Sequence, residues 1–416
     1  MTHLLILSLI FPPDNVSTAH LMGELSGDLV ARGDKVTVLT TMPHFNRDES
    51  AEKDQPIRPF WGPFLRKSEF NGATVYHTPS LSRLGALSRV LGWLIFHVVS
   101  LIAGLMLPRR VDVILAPSPP LTVGVVAWLL GLWHRTSFIY NAQELYPDIA
   151  VNLGVTKNRL LISVLYKLEN FVYATAGVVT VISEPMREQI LSKGVPPEKV
   201  VTIPNWVDTA TINVLPKDNG FSREHGVEND FVVCYAGNMG LAQNFEEIIE
   251  AAAILRGVPG IKFMLIGDGV KRPEIWRMVE ELGLSNVIVL PFQDYHLVPH
   301  IYASSDLSYV PLHGEVAAHA LPSKVYRIMA SGRTILAVAR QDSGVSALVA
   351  KSGSGLVVEP GTGELLAEAI TKAASEPGAV SAMGAAGREY VEQNYSRQKI
   401  VSQYAELISG MNTRAL

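Results

Sequence analysis

The stretch FVVCYAGNMGLAQNFEEIIE, from Phe231 to Glu250, is the most informative guide to the fold of the second half of the chain. It opens with a short β-branched run, glycines at positions 237 and 240 predict a tight turn, and apolar residues then recur at helical spacing. The pattern predicts a strand, a turn and a helix. Such a turn can direct backbone N–H groups and the positive end of a helix dipole at a phosphate. An ordinary βα connection has the same pattern, so the neighbouring segments must decide between the two interpretations.

Length and composition indicate two α/β domains. The chain has 416 residues, more than one core usually supports, and 48% of them are hydrophobic against 18% charged. Strand-like and helical segments alternate along its whole length, which is typical of α/β proteins. The single cysteine, Cys234, excludes a disulfide framework and a cysteine-rich metal site. The apolar run from Leu4 to Phe11 lacks a basic leader and is followed by two prolines, so it predicts a first strand in a cytoplasmic protein.

Carboxylates follow a predicted strand in the first half of the chain. Leu4 to Leu9, a helix and Lys35 to Thr40 form a predicted βαβ unit whose first turn lacks a dinucleotide-binding glycine fingerprint. Farther along, Glu144 and Asp148 come after the carboxyl end of the predicted strand Ser137 to Tyr140. Ligands of open α/β sheets bind at that edge. Two solvated loop carboxylates remain the alternative interpretation.

The segment from Leu91 to Leu107 contains no Asp, Glu, Lys or Arg. Its length leaves three interpretations open: a core helix, a helix lying in a membrane interface, and a membrane span. The surrounding region from Ile57 to Arg135 has eight basic residues, two acidic residues and four of the six tryptophans. Anionic head groups attract basic residues, and the interface accommodates indole rings. We therefore predict peripheral association with the inner face of the cytoplasmic membrane, with contacts from Arg89, Trp93, Arg109 and Arg110.

Four predicted strands of the second half deliver their following loops to one edge of a sheet. They are Phe231 to Cys234, Lys262 to Ile266, Val287 to Leu290 and Leu307 to Val310. The later segment LPSK predicts a helix start, which places Lys324 in a first helical turn. The helix dipole disfavours a cation at that position. A bound anion would explain the lysine, whereas a solvated side chain is the alternative.

As an ordered set, the motifs resemble the GT-B glycosyltransferases, and more narrowly glycosyltransferase family 4 in the branch of colanic acid, capsule and O-antigen transferases. They cover almost the whole chain: FPPDN after the first strand, QELYP (Gln143 to Pro147), IPNWVD (Ile203 to Asp208), YAGNMGLAQNF, LIGDG (Leu265 to Gly269), LPSK (Leu321 to Lys324) and MASGRTILA.

The resemblance implies an α/β fold of two Rossmann-like domains with parallel sheets facing a central cleft. It predicts an acceptor domain at 1–204, joined by a C-terminal helix at about 388–416 that crosses back, and a donor domain at 205–387. A nucleotide-sugar donor would bind mainly to the second domain and the acceptor to the first. Carried over to this chain, the donor-binding residues would be Gly237, Asn238, Gln243, Gly267, Asp268, Phe292, Gln293 and Ser323, and the acceptor-binding residues Asp14, Asn15 and Asp148.

The chain departs from the family pattern at charged positions. Typical members have an arginine and a lysine in the glycine turn, where this chain has Asn238 and Gln243. Many members also have two glutamates that align here with His319 and Arg327. The positive charge that neutralises a leaving diphosphate would therefore come from Lys324 and Arg327.

We expect a retaining glycosyltransferase that moves a sugar, an N-acetylated hexose, from a UDP-sugar to a polyprenyl-diphosphate-linked acceptor in surface polysaccharide or O-antigen biosynthesis. Its catalytic residues would be Lys324, Arg327, Glu144 and His319. The residues suggest no carboxylate pair for a divalent metal, so we expect no metal and no cofactor. A non-hydrolysing nucleotide-sugar epimerase and a non-catalytic sugar-binding or nucleotide-binding protein remain the alternatives. Nucleic acid is not expected as a partner, because the basic residues are interleaved with long apolar runs.

Overall fold

The chain forms two compact units in the computed structural model, which describes residues 1–44, 49–81, 86–107, 111–152, 156–240, 243–312 and 322–414. The first unit comprises Met1–Asn205 and Ile400–Leu416, and the second comprises Trp206–Lys399. Each unit contains one sheet covered by helices, and parallel pairing dominates both sheets. The predicted α/β class with two parallel sheets is therefore confirmed.

The first unit is built on a nine-stranded sheet of order β3-β4-β5-β2-β1-β6-β7-β8-β9. Every pairing is parallel except those that β4 makes with β3 and β5. The strands are β1 (His3–Leu7), β2 (Lys35–Thr41), β3 (Arg58–Trp61), β4 (Leu65–Phe70), β5 (Ala73–Thr78), β6 (Val113–Ser118), β7 (Phe138–Ala142), β8 (Val178–Val181) and β9 (Val200–Thr202). The helices are α1 (Ser17–Ala31), α2 (Glu49–Asp54), α3 (Ala86–Met106), α4 (Val123–His134), α5 (Asp148–Asn152), α6 (Arg159–Thr175) and α7 (Glu184–Ser192).

The second unit is built on a six-stranded parallel sheet of order β12-β11-β10-β13-β14-β15. Its strands are β10 (Phe231–Ala236), β11 (Ile261–Ile266), β12 (Val287–Leu290), β13 (Leu307–Pro311), β14 (Thr334–Val338) and β15 (Gly355–Val358). Its helices are α8 (Gly220–Glu224), α9 (Glu246–Ile254), α10 (Arg272–Glu281), α11 (Val298–Ala303), α12 (Lys324–Ala330), α13 (Gly344–Ser352), α14 (Gly363–Ser375) and α15 (Pro377–Tyr395). Short 3-10 helices lie at Pro197–Lys199, Leu255–Gly257 and Tyr295–Leu297.

Apolar side chains on both faces of the central strands explain why these strands read as continuous hydrophobic runs. All five residues of β1 are buried, and Leu4 lies between Val36 of β2 and Val113 of β6. In the second sheet, β10 directs Tyr235 into one core cluster and Cys234 into another on the opposite face. The two faces of each sheet are thus closed by helices, and the strand ends are left to carry the loops.

The tail of the chain consists of two helices rather than the single helix predicted from Arg388 onward. α15 ends at Tyr395, Ser396 is extended, and α16 runs over Arg397–Arg414. Val207 holds this break, since its N–H donates to the Tyr395 carbonyl and its own carbonyl accepts from Arg397 N. Residues 388–399 therefore belong to the second unit, and the first unit gains the chain from Ile400 onward.

Candidate active site

The loops of the second sheet meet where its strand order reverses. Successive crossovers take the chain from β10 to β11 and β12, and the next strand, β13, returns to the other side of β10. Ligands of open parallel sheets bind at such a reversal, beyond the carboxyl ends of the strands. Gly237 directly follows β10, and Lys324 is the first residue of α12, the helix between β13 and β14.

Two glycine turns lock together at this edge. Gly237 and Gly267 follow the neighbouring strands β10 and β11 with φ of +147° and +151°. A Cβ atom on Gly267 would lie 1.8 Å from the Gly237 carbonyl oxygen, so no side chain fits there. The Met239 N–H donates to the Asp268 carbonyl at 2.8 Å, which joins the two loops. Glycine is required at this contact because the two backbones touch.

The helix after the glycine turn does not offer its dipole to a phosphate, and this part of the sequence prediction is wrong. α9 begins at Glu246, beyond the turn, and its first turn carries Glu246 and Glu247. The Glu246 carboxylate accepts from Phe245 N and from the Lys271 ammonium. Burial raises the pKa of Glu246, but these backbone and lysine hydrogen bonds outweigh it and the pKa is lowered. The helix N-terminus is therefore neutralised by its own side chains.

Gln243 shapes the turn, since its side-chain oxygen accepts from Gly240 N at 2.9 Å. Because that oxygen is engaged, the predicted contact of Gln243 with a diphosphate would be made by its side-chain NH2 group.

Lys324 is the central cation of this edge. Its Nζ lies 3.8 Å from the centroid of the Tyr235 ring, and a Cβ on Gly237 would lie 3.1 Å from the same Nζ. Part of the side chain is accessible, yet burial of the ammonium lowers the Lys324 pKa to about 7. The Cys234 thiol is the one group that opposes this, and burial raises its own pKa to about 12. Within the described part of the chain, no carboxylate pairs with Lys324, so its charge is held by a π face alone.

Tyr235 is a residue of this site that the sequence analysis missed. Its ring is fully buried beneath the Lys324 ammonium, and its hydroxyl donates to the Asn238 carbonyl in the glycine turn. It therefore connects the cation to the turn. The available signal was an aromatic residue two positions before the turn glycine, after the smaller residues Val232, Val233 and Cys234.

Arg327 lies one helical turn after Lys324 and faces aromatic residues. Its Cζ is 5.4 Å from the Tyr295 ring, in the 3-10 helix that follows β12. Burial raises the pKa of Tyr302 to about 12, while the Arg327 charge opposes that rise. The two cations of α12 thus face aromatic rings: Lys324 faces a ring on the strand β10, and Arg327 faces a ring in the segment that follows β12.

The other predicted donor-binding residues also lie on these loops. Asn238 and Phe292 are exposed, and the Asp268 carboxylate accepts from Gly269 N at 2.8 Å. Gln293 donates to the Pro291 carbonyl at 3.0 Å, and Ser323 is the residue before α12. Their roles stay predictions. His319 lies outside the described residues, as do Arg109 and Arg110.

The first sheet has the same reversal at β1, which lies between β2 and β6. The predicted acceptor residues of the loop after β1 make local hydrogen bonds. Asp14 is buried and accepts from His44 N at 2.7 Å, which joins the loops after β1 and β2. Asn15 Oδ1 lies 2.9 Å from His20 Nε2. Asp14 thus fixes the shape of this edge.

Glu144 and Asp148 have different environments although they are close in sequence. Glu144 is exposed. The protein packed beside its carboxyl raises its pKa, and a hydrogen bond from Tyr146 opposes that rise. Contact with solvent limits that rise. Asp148 instead accepts from the Tyr166 hydroxyl, the Gln189 amide and the Lys193 ammonium at 2.6–2.8 Å. Of the two, Glu144 has the carboxylate that can reach a ligand.

Lys193 joins Asp148 to a second carboxylate, which the sequence analysis did not identify. The Lys193 ammonium lies 2.6 Å from both Asp148 Oδ2 and Glu169 Oε1. Glu169 is fully buried, and burial raises its pKa more than Lys193 and Tyr173 lower it. This cluster ties α5, α6 and α7 together beneath the loop that contains Glu144.

A buried amide network ends at the same loop. Asn141 on β7 donates to Thr180 and to the Tyr404 hydroxyl, both at 2.9 Å. Gln143 donates to Asn141 and accepts from Asn205. The network attaches α16 and the end of the first unit to the strand that precedes Glu144.

The helix α3 buries one face and exposes a second, largely apolar face. Phe96, Ser100 and Ala103 are buried, whereas Leu94 is 57% exposed and Val98 48% exposed. Leu91, Trp93, Ile102, Leu105 and Met106 are exposed as well. Soluble domains normally place such a face toward the core. Arg89 lies within α3, and its side chain is outside the described part of the structure.

The described residues contain neither a membrane-spanning helix nor a metal-binding cluster. No helix among them is both long and apolar enough to cross a bilayer. No group of three or more His, Cys, Asp or Glu side chains among the described residues could hold a metal ion.

Comparison with known proteins agrees with this arrangement. Residues 18–206 match the family model described as a glycosyl transferase 4-like domain, and residues 218–390 match the model for glycosyl transferases group 1. The putative colanic acid biosynthesis glycosyl transferase WcaI of Escherichia coli is 26% identical, over 98% of this chain and all of the relative. The probable glycosyltransferase WbjE of Pseudomonas aeruginosa is 25% identical, over 72% of this chain and 75% of the relative.

Solved structures show the fold. HepE from Anabaena, crystallised with UDP and glucose, superposes with a TM-score of 0.72 at 16% identity, covering 99% of this chain and all of that one. WaaG, a glycosyltransferase of lipopolysaccharide biosynthesis, gives a TM-score of 0.69 at 15% identity, covering 98% of this chain and all of that one. Two family models in sequence, one in each unit, together with these GT-B neighbours, show that the chain belongs to the GT-B glycosyltransferases of glycosyltransferase family 4.

Proposed function

We propose that this glycosyltransferase is a retaining enzyme that transfers an N-acetylated hexose from a UDP-sugar to a lipid-linked acceptor in surface polysaccharide or O-antigen biosynthesis. The colanic acid and lipopolysaccharide biosynthesis named for WcaI and WaaG support the polysaccharide role, and the UDP in the HepE crystal supports the donor. The second unit binds the donor and the first unit binds the acceptor.

One observation carries the donor assignment. Lys324 places a buried ammonium beside the Gly237 turn, at the reversal of strand order, and no carboxylate in the described part of the chain neutralises it. A charge held in a low-dielectric environment without a counterion favours an anionic ligand. A diphosphate would restore the charged form of the lysine by direct contact.

The transfer requires positioning and charge stabilisation rather than a protein nucleophile. The bond from the sugar anomeric carbon to the diphosphate oxygen breaks, and a bond from that carbon to the acceptor hydroxyl oxygen forms on the same face. The acceptor proton passes to the departing phosphate oxygen, so UDP leaves with it. Lys324 and Arg327 stabilise the negative charge that develops on the leaving group. Glu144 orients the acceptor hydroxyl, and His319 is assigned to the donor sugar.

A metal is not part of this proposal, because two protein cations would take over the neutralising role of a divalent ion. The test is turnover in excess EDTA. Undiminished turnover supports the proposal, and turnover that EDTA abolishes and magnesium or manganese restores contradicts it.

The membrane part of the proposal rests on α3. Its outward face is a continuous apolar stripe, and Trp93 lies on it near the helix start. An interfacial helix buries such a face among lipid head groups and acyl chains. The stripe would hold the first unit at the membrane surface, where a polyprenyl-linked acceptor is found. Flotation with liposomes is the test, and a protein that stays wholly in the soluble fraction would contradict it.

The donor assignment is tested first by a thermal-shift screen over nucleotides and nucleotide-sugars. A ligand that binds only the folded state raises the melting temperature by mass action, so UDP and the correct UDP-sugar should stabilise at low concentration. Stabilisation by GDP-sugars or ADP-sugars in preference to UDP-sugars would overturn the UDP assignment. NMR of the product then establishes whether the anomeric configuration of the donor is kept, and an inverted product would overturn the retaining mechanism.

An assay without acceptor distinguishes a glycosyltransferase from an epimerase. The protein with a UDP-sugar alone should leave the sugar configuration unchanged, whereas an epimerase would convert it.

A further inference from the structure

The β3–β4 hairpin presents an exposed aromatic tip. Phe60 is 55% exposed, Trp61 42% and Phe64 54%. The Trp61 and Phe64 rings lie side by side, with centroids 5.9 Å apart, and the Phe64 N–H donates to the Trp61 carbonyl across the turn. Gly62 permits this turn through its φ of +50°. The Phe60 ring instead packs on Tyr76 of β5, with centroids 5.1 Å apart, and stays more than half exposed. The hairpin thus presents three large, partly exposed aromatic side chains, which a soluble surface rarely leaves uncovered.

The base of the hairpin is rigid, so the tip is not a loose loop. Ser68 on β4 accepts from the Gln55 amide at 2.9 Å and lies 2.7 Å from His77 Nε2 on β5. All three side chains are buried. Burial lowers the His77 pKa to about 4, and the Thr41 carbonyl opposes this, so the histidine stays neutral at physiological pH. The hairpin therefore holds its aromatic tip at a fixed position relative to the sheet.

Like charges lie opposite each other behind the tip. The strand register pairs Arg58 with Lys67, and Arg66 follows next to them opposite Pro59. All three cations are exposed, and Glu69 is the one acidic residue from position 58 to 70. Directly opposed like charges destabilise a strand pair. An anionic surface facing the hairpin would remove that repulsion.

The tip lies at the edge of the sheet where the acceptor loops lie. Antiparallel pairing of β4 with β5 puts Arg66 beside His77 and Phe70 beside Ala73, so the turn at 61–64 is next to the carboxyl end of β5. β5 is parallel to β2, which is parallel to β1. The loops after β1 and β7, with Asp14 and Glu144, leave from that same edge.

From these observations we infer that the β3–β4 hairpin is a second membrane-docking element, in which Phe60, Trp61 and Phe64 enter the interfacial region and Arg58, Arg66 and Lys67 bind anionic head groups. Aromatic rings and basic residues are the side chains that this interface accommodates. The inference rests on the proposed membrane association of the first unit and adds a contact distinct from α3. It would turn the acceptor edge of the sheet toward the lipid surface.

The experiment is flotation of the full chain with vesicles of phosphatidylcholine alone or with 30% phosphatidylglycerol. Two double variants are compared with the unmodified protein, Trp61→Ser with Phe64→Ser and Arg58→Gln with Lys67→Gln. Matched controls in the second unit are Trp276→Ser, and Arg277→Gln with Lys351→Gln, which remove an exposed tryptophan and two exposed cations. Melting temperatures should be unchanged in the aromatic variant and in the controls, because the replaced side chains are exposed, and unchanged or slightly raised in the basic variant, because it removes the repulsion between Arg58 and Lys67.

On each vesicle type that the unmodified protein binds, the bound fraction of the aromatic variant should be at least about fivefold lower. The basic variant should lose binding on anionic vesicles, most strongly at low salt, since screening weakens the contact. Quenching of tryptophan fluorescence by brominated lipids should be reduced in Trp61→Phe, and the controls should behave as the unmodified protein.

The outcomes separate this inference from the proposed function. If both hairpin variants bind as well as the unmodified protein, while Leu94→Ser with Val98→Ser on α3 abolishes binding, the hairpin inference is overturned and the α3 contact stands. If the unmodified protein does not float at all, the membrane part of the proposed function falls together with the hairpin. A hairpin-dependent dimer in solution without vesicle binding would make this surface an interface between copies and also overturn the inference.

Discussion

Replacing Lys324 with methionine should stabilise the unliganded protein while it impairs donor binding. The lysine pKa is lowered from 10.5 to about 7 by burial, which means that the folded state disfavours the charged form. Between these two pH values the unfolded state binds more protons, so stability rises with pH across that window. Below pH 7 both states carry the proton, and the full cost of the buried charge is present. Lys324→Met removes this cost.

The size of the effect follows from the pKa difference. A fall from 10.5 to about 7 is equivalent to roughly 5 kcal/mol at 1.36 kcal/mol per pH unit, which is an upper limit. Because part of the lysine is accessible, water reduces this, and we expect a gain of about 1–3 kcal/mol at pH 6. The gain should shrink by about 1 kcal/mol or more between pH 6 and pH 9. The apolar contribution of the methionine does not vary with pH, so the pH dependence isolates the charge.

The assay is thermal unfolding of both proteins at pH 6, 7, 8 and 9. For a unit of this size, 1 kcal/mol corresponds to about 2–4 °C. Lys351→Met is the matched control, because it removes an exposed lysine of the same unit. If the melting difference between Lys324→Met and the unmodified protein is independent of pH, or if Lys324→Met is less stable at pH 6, the reasoning about the buried ammonium is refuted.

Substitutions at three further positions test other parts of the structure. Gly237→Ala forces φ of +147° on a residue with a Cβ and places that Cβ 3.1 Å from the Lys324 ammonium. We expect the stability to fall by about 1–3 kcal/mol and kcat/KM to fall at least tenfold. Unfolding experiments and initial rates measure the two effects. Tyr235→Phe keeps the ring under the cation but removes the hydroxyl, so it should lower stability by about 1 kcal/mol. Tyr235→Leu removes the ring as well and should also raise KM for the donor. Equal KM values for the two variants would contradict the role of the ring. Lys193→Met leaves the fully buried Glu169 without its counterion. It should cost about 3–5 kcal/mol at pH 8 and less at pH 5, where protonation of Glu169 relieves the buried charge. A cost that is equally large at pH 5 would contradict this.

Strands that are buried on both faces could be located from the sequence to within a few residues. The strand predicted over Leu307 to Val310 ends one residue later, at Pro311, and the strand predicted over Lys262 to Ile266 begins one residue earlier, at Ile261. The β3–β4–β5 region was not predicted as strand. The strands β3 and β4 lie toward the sheet edge and have charged side chains facing solvent, and β5 alternates apolar residues with Thr, Tyr and His, so none of the three has the apolar run that marks an interior strand.

Side-chain partnerships were beyond the reach of the sequence. Asp148 resembles an available loop carboxylate, yet its partner Lys193 lies 45 residues away and reaches it through the packing of two helices. The sequence of α3 shows polar and small residues recurring at helical spacing, but this spacing alone does not tell which face of the helix points outward. α9 begins only at Glu246, where the Glu246 carboxylate accepts from Phe245 N, and not at the glycine turn. The glycine turns and Lys324 could be recognised because backbone geometry and charge position follow directly from residue type and order.

The central claim is that Lys324 and the Gly237 turn form a diphosphate site. Isothermal titration of uridine and UDP into the unmodified protein and into Lys324→Met tests it most directly. The account predicts that UDP binds the unmodified protein at least about tenfold more tightly than uridine, equivalent to about 1.4 kcal/mol or more from the phosphates, and that Lys324→Met loses most of this difference while its uridine affinity is retained. An undiminished preference for UDP in Lys324→Met would contradict the account.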